Sequence, residues 1–362
     1  MERKKIIHFI PSLGRGGAET MLVHVVSALT EYDHVIVTLD PANHFGPGEI
    51  NATSICLNLP SVWRYPQAIL RFRKLVRAHR PAIVHTHLYW PTVIARLAVP
   101  RGIPLISTLH AFIAEAPEYR KSFIRLLDRF SFRKRPSVLL SVAEGALEEY
   151  VSLLRIKAAE AHVLHTFVDS AFIDTNRVSH PQERNGFTLV SVGALRQQKN
   201  HSLLLNALHR LRNEAVSLDI YGSGPLRHTL EIQLERFPAR VHLKGENRNI
   251  RMELPRYDLF VMSSDYEGFS IAVLEAMALR IPLLLSDIPS FREQCGDTAV
   301  YFEKGNDADC AQKILALSGD AALLEKNSEA AHQRVKERYT LEQHLSGIRS
   351  VYTGCLRRAN NT

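Results

Sequence analysis

The sequence lacks the features that mark a transmembrane, a disulfide-stabilised or a zinc-stabilised protein. No apolar run reaches the ~18 residues that suggest a transmembrane helix. The four cysteines lie far apart, with neither a Cys-X-X-Cys pair nor a Cys/His spacing typical of zinc ligands. The N-terminal segment breaks at Pro11 and Gly14 without the apolar core of a signal peptide, which favours a first β-strand. We therefore expect a cytoplasmic protein with reduced cysteines.

Nucleic-acid-binding signatures are also absent, although the chain is basic. Residues 1–180 contain 22 Lys and Arg against 15 Asp and Glu, a net charge of +7, whereas residues 181–362 have a net charge of +1. No helix-turn-helix, zinc-finger or RNP-type pattern accompanies this charge. The uneven distribution predicts that the N-terminal half meets an anionic partner, and that this partner is not nucleic acid.

Short apolar, β-rich runs alternate with helical patterns along almost the whole chain. Such alternation with short loops predicts parallel sheets with helices on both faces, which is an α/β fold. A chain of 362 residues should form about two domains. The predicted strands are Ile6–Ile10, Val35–Leu39, Ser54–Leu57, Ala82–His85, Pro104–Leu109, Val138–Ser141, His162–Leu164, Phe187–Val192, Ser217–Tyr221, Val241–Leu243, Leu259–Met262 and Pro282–Leu285.

A polar segment that carries Pro181 separates two such patterns and predicts the domain boundary. We expect an N-terminal Rossmann-like domain over 1–170, a linker over 171–186 and a second Rossmann-like domain over 187–338. The last segment, 339–362, has a helical pattern with no strand after it. Two open α/β domains would face each other across a cleft, with ligands beyond the carboxyl ends of the strands.

Two strand-end loops of the second half combine glycine with ligand-binding chemistry. Strand Phe187–Val192 is followed by Arg196 and Lys199 before a helix, and two cations at a helix N-terminus favour an anion site. The next strand ends at Gly222 and Gly224, which let a ligand approach the backbone closely. A solvated basic loop and ordinary turn geometry are the alternatives.

Two glutamates, Glu267 and Glu275, stand on either side of Gly268 and an apolar, helical run. They stand eight positions apart, which turns a helix through about 800°, so we expect the two acids to point to nearly the same side. Two carboxylates at a strand end can accept hydrogen bonds from several hydroxyls, in which sugars are rich. The alternative is a pair of exposed helix acids, with Glu267 stabilised by the helix dipole.

The N-terminal half offers a glycine loop and a strand-end histidine. Gly16 and Gly17 follow the first strand, and their backbone amides could approach a phosphate or a sugar. His110 follows strand Pro104–Leu109 and would face the cleft. A tight turn and a structural histidine are the alternatives.

Two stretches of the same half, 63–80 and 119–135, are basic and amphipathic. Helices of this kind can lie on an anionic membrane surface or bind acidic ligands. The alternative is a half-buried helix with a solvated cationic face.

Together these motifs resemble the retaining glycosyltransferases of family 4, which have the GT-B fold of two Rossmann-like domains. The resemblance covers nearly the whole chain and is strongest over 191–293. Two departures matter. Ala194 stands where many members have a phosphate-binding arginine, so Arg196 is expected to take that role, and Thr166-Phe167 stands before Val168-Asp169 where members often have Asn-Gly, near the expected hinge. The residues that carry the resemblance are Gly16, Gly17, His110, Lys199, Gly222, Gly224, Pro225, Glu267, Gly268, Phe269 and Glu275.

The resemblance also implies roles for these residues. Glu267 would contact the transferred sugar and Glu275 the nucleotide ribose, while backbone amides from Gly268 to Ser270 would hold sugar or phosphate oxygens. The catalytic set is then His110, Arg196, Lys199 and Glu267. The donor-binding set is Gly16, Gly17, Gly222, Gly224, Gly268, Phe269, Ser270 and Glu275. The last helix would cross back to the N-terminal domain.

The implied function is transfer of a hexose or N-acetylhexosamine from a nucleoside-diphosphate sugar, with UDP favoured, in cell-surface polysaccharide synthesis. The expected acceptor is a saccharide or a polyprenyl-linked glycan, and the expected location is the inner face of the cell membrane. No carboxylate pair suited to a divalent metal stands at a strand end, so we expect a metal-independent reaction without a cofactor.

Two rival functions remain compatible with these motifs. A non-hydrolysing sugar-nucleotide epimerase would form its product from the sugar nucleotide alone. A non-catalytic sugar-nucleotide-binding protein would bind the donor without turnover. A nucleic-acid-binding protein would explain the charge but not Glu267 and Glu275.

Overall fold

The computed structural model describes residues 3–14, 16–46, 48–113, 119–175, 186–235, 240–247 and 249–360. The chain divides into two compact units. The first unit contains Met1–Thr166 and Glu342–Thr362, and the second contains Phe167–Leu341. The division thus precedes the expected linker, of which residues 176–185 lie outside the described residues.

Each unit is built on one parallel β-sheet. All of the predicted strands are confirmed, with small shifts at their ends. The strands are β1 (Lys4–Ile10), β2 (Tyr32–Thr38), β3 (Thr53–Cys56), β4 (Ile83–His87), β5 (Leu105–Leu109), β6 (Val138–Ser141), β7 (Ala161–Val163), β8 (Phe187–Val192), β9 (Val216–Tyr221), β10 (Val241–Gly245), β11 (Leu259–Met262), β12 (Leu283–Ser286) and β13 (Val300–Phe302).

Helices connect most of the strands, and none in the described part of the chain is long and apolar enough to cross a membrane. The helices are α1 (Gly17–Ala28), α2 (Tyr65–His79), α3 (Tyr89–Ala98), α4 (Ser122–Lys134), α5 (Glu144–Leu154), α6 (Ser170–Ile173), α7 (His201–Arg210), α8 (Arg227–Glu235), α9 (Ile250–Glu253), α10 (Ile271–Ala278), α11 (Pro289–Cys295), α12 (Asp307–Ser318), α13 (Ala321–Arg338) and α14 (Leu341–Asn360).

The first sheet has the order β3-β2-β1-β4-β5-β6-β7, and every neighbouring pair is parallel. Its central strands are covered on both faces, since every residue of β4 is buried, including His85 and His87. Buried parallel strands usually carry continuous apolar runs. Histidines at these positions are therefore a departure from the expected pattern.

Helix α14 packs on the first unit, although it is the last helix of the chain. The hydroxyl of Tyr352 lies 2.8 Å from Nδ1 of His85 on β4. Nδ1 of His344 donates to the backbone carbonyl of His165 at 2.8 Å. These contacts place the helix in the first unit, although all of the second unit lies between it and β7 in the sequence.

The second sheet has the order β10-β9-β8-β11-β12-β13 and is also parallel throughout. Its edge strand β13 was not predicted from the sequence. In both sheets the strand order reverses beside the first strand of the unit. The reversals lie between β1 and β4 and between β8 and β11, and ligands in open α/β sheets bind at such points.

A buried ion pair connects α3 to α4 in the first unit. Nη1 of Arg96 lies 2.6 Å from Oδ1 of Asp128, and the two side chains are at most 1% exposed. The hydroxyls of Tyr119 and Tyr150 also donate to the Asp128 carboxylate, at 2.5 and 3.0 Å. The aspartate is therefore fully partnered despite its burial, and α4 is fixed to the body of the unit.

We predict that Arg96→Met lowers the free energy of unfolding by about 3–5 kcal/mol, because it leaves the Asp128 charge buried without its cation. The matched control is Arg349→Met, which breaks the exposed pair between Arg349 and Glu31 and should cost less than about 1 kcal/mol. Chemical denaturation of both variants measures the difference. Equal losses would contradict the assignment of the Arg96 pair as a structural anchor.

Candidate functional site

Two loops lie side by side at the switch point of the second sheet, because β8 and β11 are neighbouring strands. We call them the β8 loop (residues 193–200) and the β11 loop (residues 263–270). The backbone N–H of Asp265 donates to the carbonyl of Gln198 at 2.9 Å. The side-chain carboxylate of Asp265 accepts from the amide of Asn200 at 3.1 Å. Hydrogen bonds between the loops therefore fix their relative position.

The predicted cation and the predicted carboxylate meet between these loops. Nζ of Lys199 lies 2.5 Å from Oε1 of Glu267, and the side chains are 16% and 8% exposed. The hydroxyl of Ser264 donates to the same oxygen at 2.6 Å. A charge-assisted bond at this degree of burial holds both side chains in one orientation.

Glu267 reaches this position from a loop and not from a helix. Helix α10 begins at Ile271, and its N-cap is Ser270, whose hydroxyl accepts from the backbone N–H of Val273. The expectation that helical rotation brings Glu267 and Glu275 to the same side is therefore wrong. The serine cap fixes the helix start after Glu267, since Ser is a strong N-cap residue.

Arg196 lies in the same β8 loop but differs from Lys199. Its side chain is exposed, and no hydrogen bond or ion pair occupies its guanidinium among the described residues. The loop thus presents one cation that is held by a carboxylate and one that is open to a ligand.

Close backbone packing explains why glycine stands at positions 222 and 224. Gly222 has φ +144°, and a Cβ there would lie 2.0 Å from the carbonyl oxygen of Gly193. A Cβ on Gly224 would lie 2.5 Å from the carbonyl oxygen of Leu195. The loop after β9 therefore packs backbone against backbone on the β8 loop, which only glycine allows. Direct contact of these glycines with a ligand stays a prediction.

Phe269 and Ser270 also have roles within the unit itself. The ring of Phe269 is buried against the ring of Tyr339, with centroids 5.2 Å apart. The backbone N–H of Ser270 donates to the side chain of Gln294 at 3.0 Å, and its carbonyl accepts from the same amide at 2.8 Å. These contacts hold the β11 loop, with Gly268 buried in its middle, in one conformation.

Glu275 lies in α10, and no hydrogen bond to its carboxylate is present among the described residues. Burial, and to a smaller extent the charge of Asp169, raises the pKa of Glu275 to about 8. Asp169 is the N-cap of the neighbouring helix α6. An uncompensated carboxylate of this kind would be stabilised by a ligand that donates hydrogen bonds.

The predicted residues of the first unit lie at the carboxyl ends of its strands. Helix α1 begins at Gly17, with Gly16 as its N-cap in an extended conformation. His110 directly follows β5, is partly buried, and has its Nε2 3.1 Å from Nδ1 of His87. Burial, and to a smaller extent the proximity of His344, lowers the pKa of His110 to about 3. The imidazole is therefore neutral at physiological pH.

One group of side chains in the described residues has the composition of a metal site. Ring nitrogens of His8, His85 and His87 all lie within 4.8 Å of one another, and the three side chains are buried. Both ring nitrogens of His85 already have partners, in the hydroxyls of Thr108 at 2.6 Å and Tyr352 at 2.8 Å. An ion bound here would have to replace existing hydrogen bonds.

Sequence reasoning missed the residues that hold the predicted ones in place. Ser264 and Asp265 stand directly after β11, and their strand-end position was the available signal. His8 and His87 were visible as polar residues inside otherwise apolar strands. Their proximity to His110 could not be predicted, because it depends on the order of the strands in the sheet.

Two family models match consecutive parts of the chain. The model described as Glycosyltransferase Family 4 matches residues 15–172. The model described as Glycosyl transferases group 1 matches residues 172–334. The boundary between the two models lies close to the division between the two units.

Two curated relatives are similar over most of the chain. The first is the N-acetylgalactosamine-N,N'-diacetylbacillosaminyl-diphospho-undecaprenol 4-alpha-N-acetylgalactosaminyltransferase of Campylobacter jejuni, 26% identical over 353 residues, covering 92% of this chain and 95% of that protein. The second is the UDP-Gal:alpha-D-GlcNAc-diphosphoundecaprenol alpha-1,3-galactosyltransferase of Escherichia coli, 23% identical over 320 residues, covering 83% of this chain and 82% of that protein.

A solved structure supports the fold assignment. The Anabaena protein HepE in complex with UDP and glucose superposes with a TM-score of 0.82 at 16% identity, covering 97% of this chain and 99% of that chain. The predicted α/β fold with two Rossmann-like units is confirmed by this likeness and by the two sheets. The chain therefore belongs to the family 4 and group 1 glycosyltransferases, which have the GT-B fold.

Proposed function

We propose that this protein is a retaining glycosyltransferase that transfers a hexose or N-acetylhexosamine from a nucleoside-diphosphate sugar, with UDP favoured, to a lipid-linked or saccharide acceptor. The observation that carries the proposal is the pairing of Lys199 with Glu267, in a loop that also carries the exposed Arg196. Cations and a carboxylate at a sheet switch point suit a diphosphate joined to a sugar.

The chemistry requires stabilisation of a leaving diphosphate. The bond between the anomeric carbon and the phosphate oxygen breaks, and a bond from that carbon to the acceptor oxygen forms on the same face. The acceptor hydroxyl proton passes to the departing phosphate. Lys199, which Glu267 holds in place, and the exposed Arg196 are the cations that stabilise the negative charge on the diphosphate, and each such group is worth ~3–4 kcal/mol in comparable sites.

The same two cations support a reaction without a divalent metal. Glu267 is engaged by Lys199 and Ser264, which suits it to orient a sugar hydroxyl more than to ligate an ion. Glu275 would accept the ribose hydroxyls, which are the donors that its partly buried carboxylate lacks among the described residues. His110 would accept a hydrogen bond from a substrate hydroxyl. No cofactor is needed for these steps.

The acceptor proposal rests on the relatives and on helix α4. Two relatives are named for undecaprenol-linked sugars. On α4, Phe123, Leu126 and Phe130 are 61%, 65% and 55% exposed, and their spacing places them on one helical face. Arg133 and Lys134 are exposed at the end of the helix. An apolar face with flanking cations suits shallow insertion into an anionic membrane, here the inner face of the cell membrane.

Part of the positive charge in the two basic stretches has another use. Arg71 and Arg73 on α2 donate to the backbone carbonyls of Leu57 and Ala98 at 3.1 Å. Arg135 donates to the carbonyl of Ile103 at 2.6 Å. These arginines stabilise the unit, so the membrane proposal relies on α4 and on the cations without such partners.

We predict that Lys199→Met and Arg196→Ala each lower the transfer rate by about 100-fold or more while the protein stays folded. The assay measures release of the nucleoside diphosphate from UDP-sugars, with an undecaprenyl-diphosphate-linked acceptor and with excess EDTA throughout. Product formed without an acceptor would indicate an epimerase. Donor binding without turnover would indicate a non-catalytic sugar-nucleotide-binding protein. Rescue by magnesium or manganese would contradict metal independence, and near-normal rates in both variants would contradict the phosphate site.

We predict that Glu275→Gln changes how stability depends on pH. A folded-state pKa of about 8 means that folding takes up a proton at this carboxylate between about pH 5 and about pH 8, so the stability that Glu275 contributes should fall as pH rises through this window. The buried histidines with lowered pKa values contribute in the opposite direction, so the effect of Glu275 is read as the difference between the wild type and the variant. Thermal unfolding of Glu275→Gln should lack this fall, whereas Glu148→Gln on the exposed face of α5 should retain it. Parallel curves for the wild type and Glu275→Gln would show that the carboxylate is not buried as described.

We predict salt-sensitive binding to vesicles that contain phosphatidylglycerol. Each cation at an anionic surface is worth ~1 kcal/mol, so Arg133→Gln with Lys134→Gln should weaken binding about 30-fold. Phe123→Ser with Phe130→Ser should weaken it at all salt concentrations, and Ile232→Ser, at an exposed position of the second unit, should not. Absence of vesicle binding by the wild type at low salt would contradict the membrane proposal.

A further inference from the structure

Four histidines form a continuous line of hydrogen bonds across the sheet of the first unit. We call His34, His8, His87 and His110 the histidine line. Nε2 of His34 lies 2.9 Å from the carbonyl oxygen of Leu29, and its Nδ1 lies 3.1 Å from Nε2 of His8. Nδ1 of His8 lies 3.4 Å from Nε2 of His87, and Nδ1 of His87 lies 3.1 Å from Nε2 of His110.

The line exists because of the strand order. His34 is on β2, His8 on β1 and His87 on β4, and these strands are neighbours in the sheet. His110 follows β5, the next neighbour. Residues that are far apart in the sequence therefore become adjacent across the sheet.

The carbonyl at one end fixes the direction of every bond in the line. A carbonyl oxygen only accepts, so Nε2 of His34 carries the proton. A neutral imidazole has one donor and one acceptor, so Nδ1 of His34 accepts from Nε2 of His8. By the same rule, Nδ1 of His8 accepts from Nε2 of His87, and Nδ1 of His87 accepts from Nε2 of His110. His110 therefore carries its proton on Nε2, and its Nδ1 is left as an acceptor without a partner among the described residues.

These bond directions hold only if each histidine is neutral, and the surroundings favour the neutral form. Burial lowers the pKa of all four, and their mutual proximity lowers the pKa values of His8 and His87 further. At His34 the bond to the Leu29 carbonyl opposes this effect most, followed by Glu31 and Asp33. Other titratable groups beside the line in the described residues are Tyr32, His85, His344 and Tyr352, and burial also lowers the pKa values of His85 and His344.

We propose that His34, His8 and His87 are positioning residues that hold His110 in the Nε2–H tautomer and present its Nδ1 as a hydrogen-bond acceptor to a substrate hydroxyl. The identity of that hydroxyl rests on the proposed transferase function, whereas the tautomer does not. In this arrangement the backbone carbonyl of Leu29, at the end of α1, determines which ring nitrogen of His110 is the acceptor.

A metal ion at His8, His85 and His87 is the competing use of the same side chains. Both nitrogens of His8 are engaged within the histidine line, and both nitrogens of His85 bond hydroxyl groups. The line gives both ring nitrogens of His34, His8 and His87 a partner. An ion would break at least one bond of the line and one bond of His85. The observed contacts therefore favour the line.

Tautomers are measured directly by long-range proton–nitrogen correlation spectra of protein labelled with nitrogen-15 at histidine, with His110→Gln used for assignment. The wild type should show His110 with a protonated Nε2 and a bare Nδ1. His34→Leu should populate the opposite tautomer of His110, because the line loses its fixed acceptor. His34→Gln should restore the wild-type signal, since an amide offers one donor and one acceptor in its place.

His85→Gln is the matched control, because His85 is equally buried in the same cluster but lies outside the line. It should leave the His110 tautomer unchanged. A wild-type His110 with a protonated Nδ1 would overturn the proposal even if no variant folds, and so would stoichiometric metal in the purified protein by elemental analysis. An unchanged His110 signal in folded His34→Leu would overturn it as well.

Activity gives a second, separable readout. In the transfer assay His34→Leu should lower kcat/KM by about five- to tenfold, the worth of one hydrogen bond to a neutral group, and His34→Gln should recover it. If the tautomer behaves as expected but no donor is turned over, the proposed function fails and the positioning role stands. If transfer occurs but His34→Leu and His34→Gln are equally impaired, the positioning role is wrong.

Discussion

The ion pair between Lys199 and Glu267 is the interaction on which the second unit's site depends. It joins a loop that follows β8 to a loop that follows β11, and it does so at low exposure. Removing one partner would leave the other charge buried without compensation, which typically costs 3–5 kcal/mol. The sheet order makes the pair possible, since β8 and β11 are neighbours although about seventy residues separate them. The surrounding hydrogen bonds of Ser264 and Asp265 then fix its geometry.

The two units differ in the charge of the side chains at the carboxyl ends of their strands. The second unit keeps charge there, with Arg196 open to a ligand and Lys199 held ready by Glu267. The first unit removes charge, because its buried histidines are neutral and bond one another. A diphosphate needs the first arrangement, whereas a neutral sugar hydroxyl needs only a correctly directed acceptor such as Nδ1 of His110.

The fold could be predicted from the sequence because hydrophobic periodicity is a local property. Each predicted strand is an apolar run with a polar or glycine boundary. Strand β13 (Val300–Phe302) was missed, although β7 is equally short and was predicted. Helix boundaries were less secure. The start of α10 depends on the cap that Ser270 provides, and this moved Glu267 from the expected helix into a loop.

The candidate site was predictable in its residue types but not in its contacts. Strand-end position marked Arg196, Lys199 and Glu267, since parallel strands place their carboxyl ends at one edge. The structural use of Gly222 depends on a backbone approach of the β8 loop, which no local pattern encodes. The histidine line depends on the order of four strands, so its members looked like isolated polar residues in apolar runs.

The role proposed for Lys199 is tested most directly by comparing UDP and uridine binding to the wild type and to Lys199→Met. In this role Lys199 binds the diphosphate and not the nucleoside. Calorimetry for UDP and ligand-observed NMR for uridine should therefore show UDP affinity reduced by at least about tenfold, or 1.4 kcal/mol, with uridine binding unchanged. Equal losses for both ligands, or unchanged UDP affinity, would contradict it.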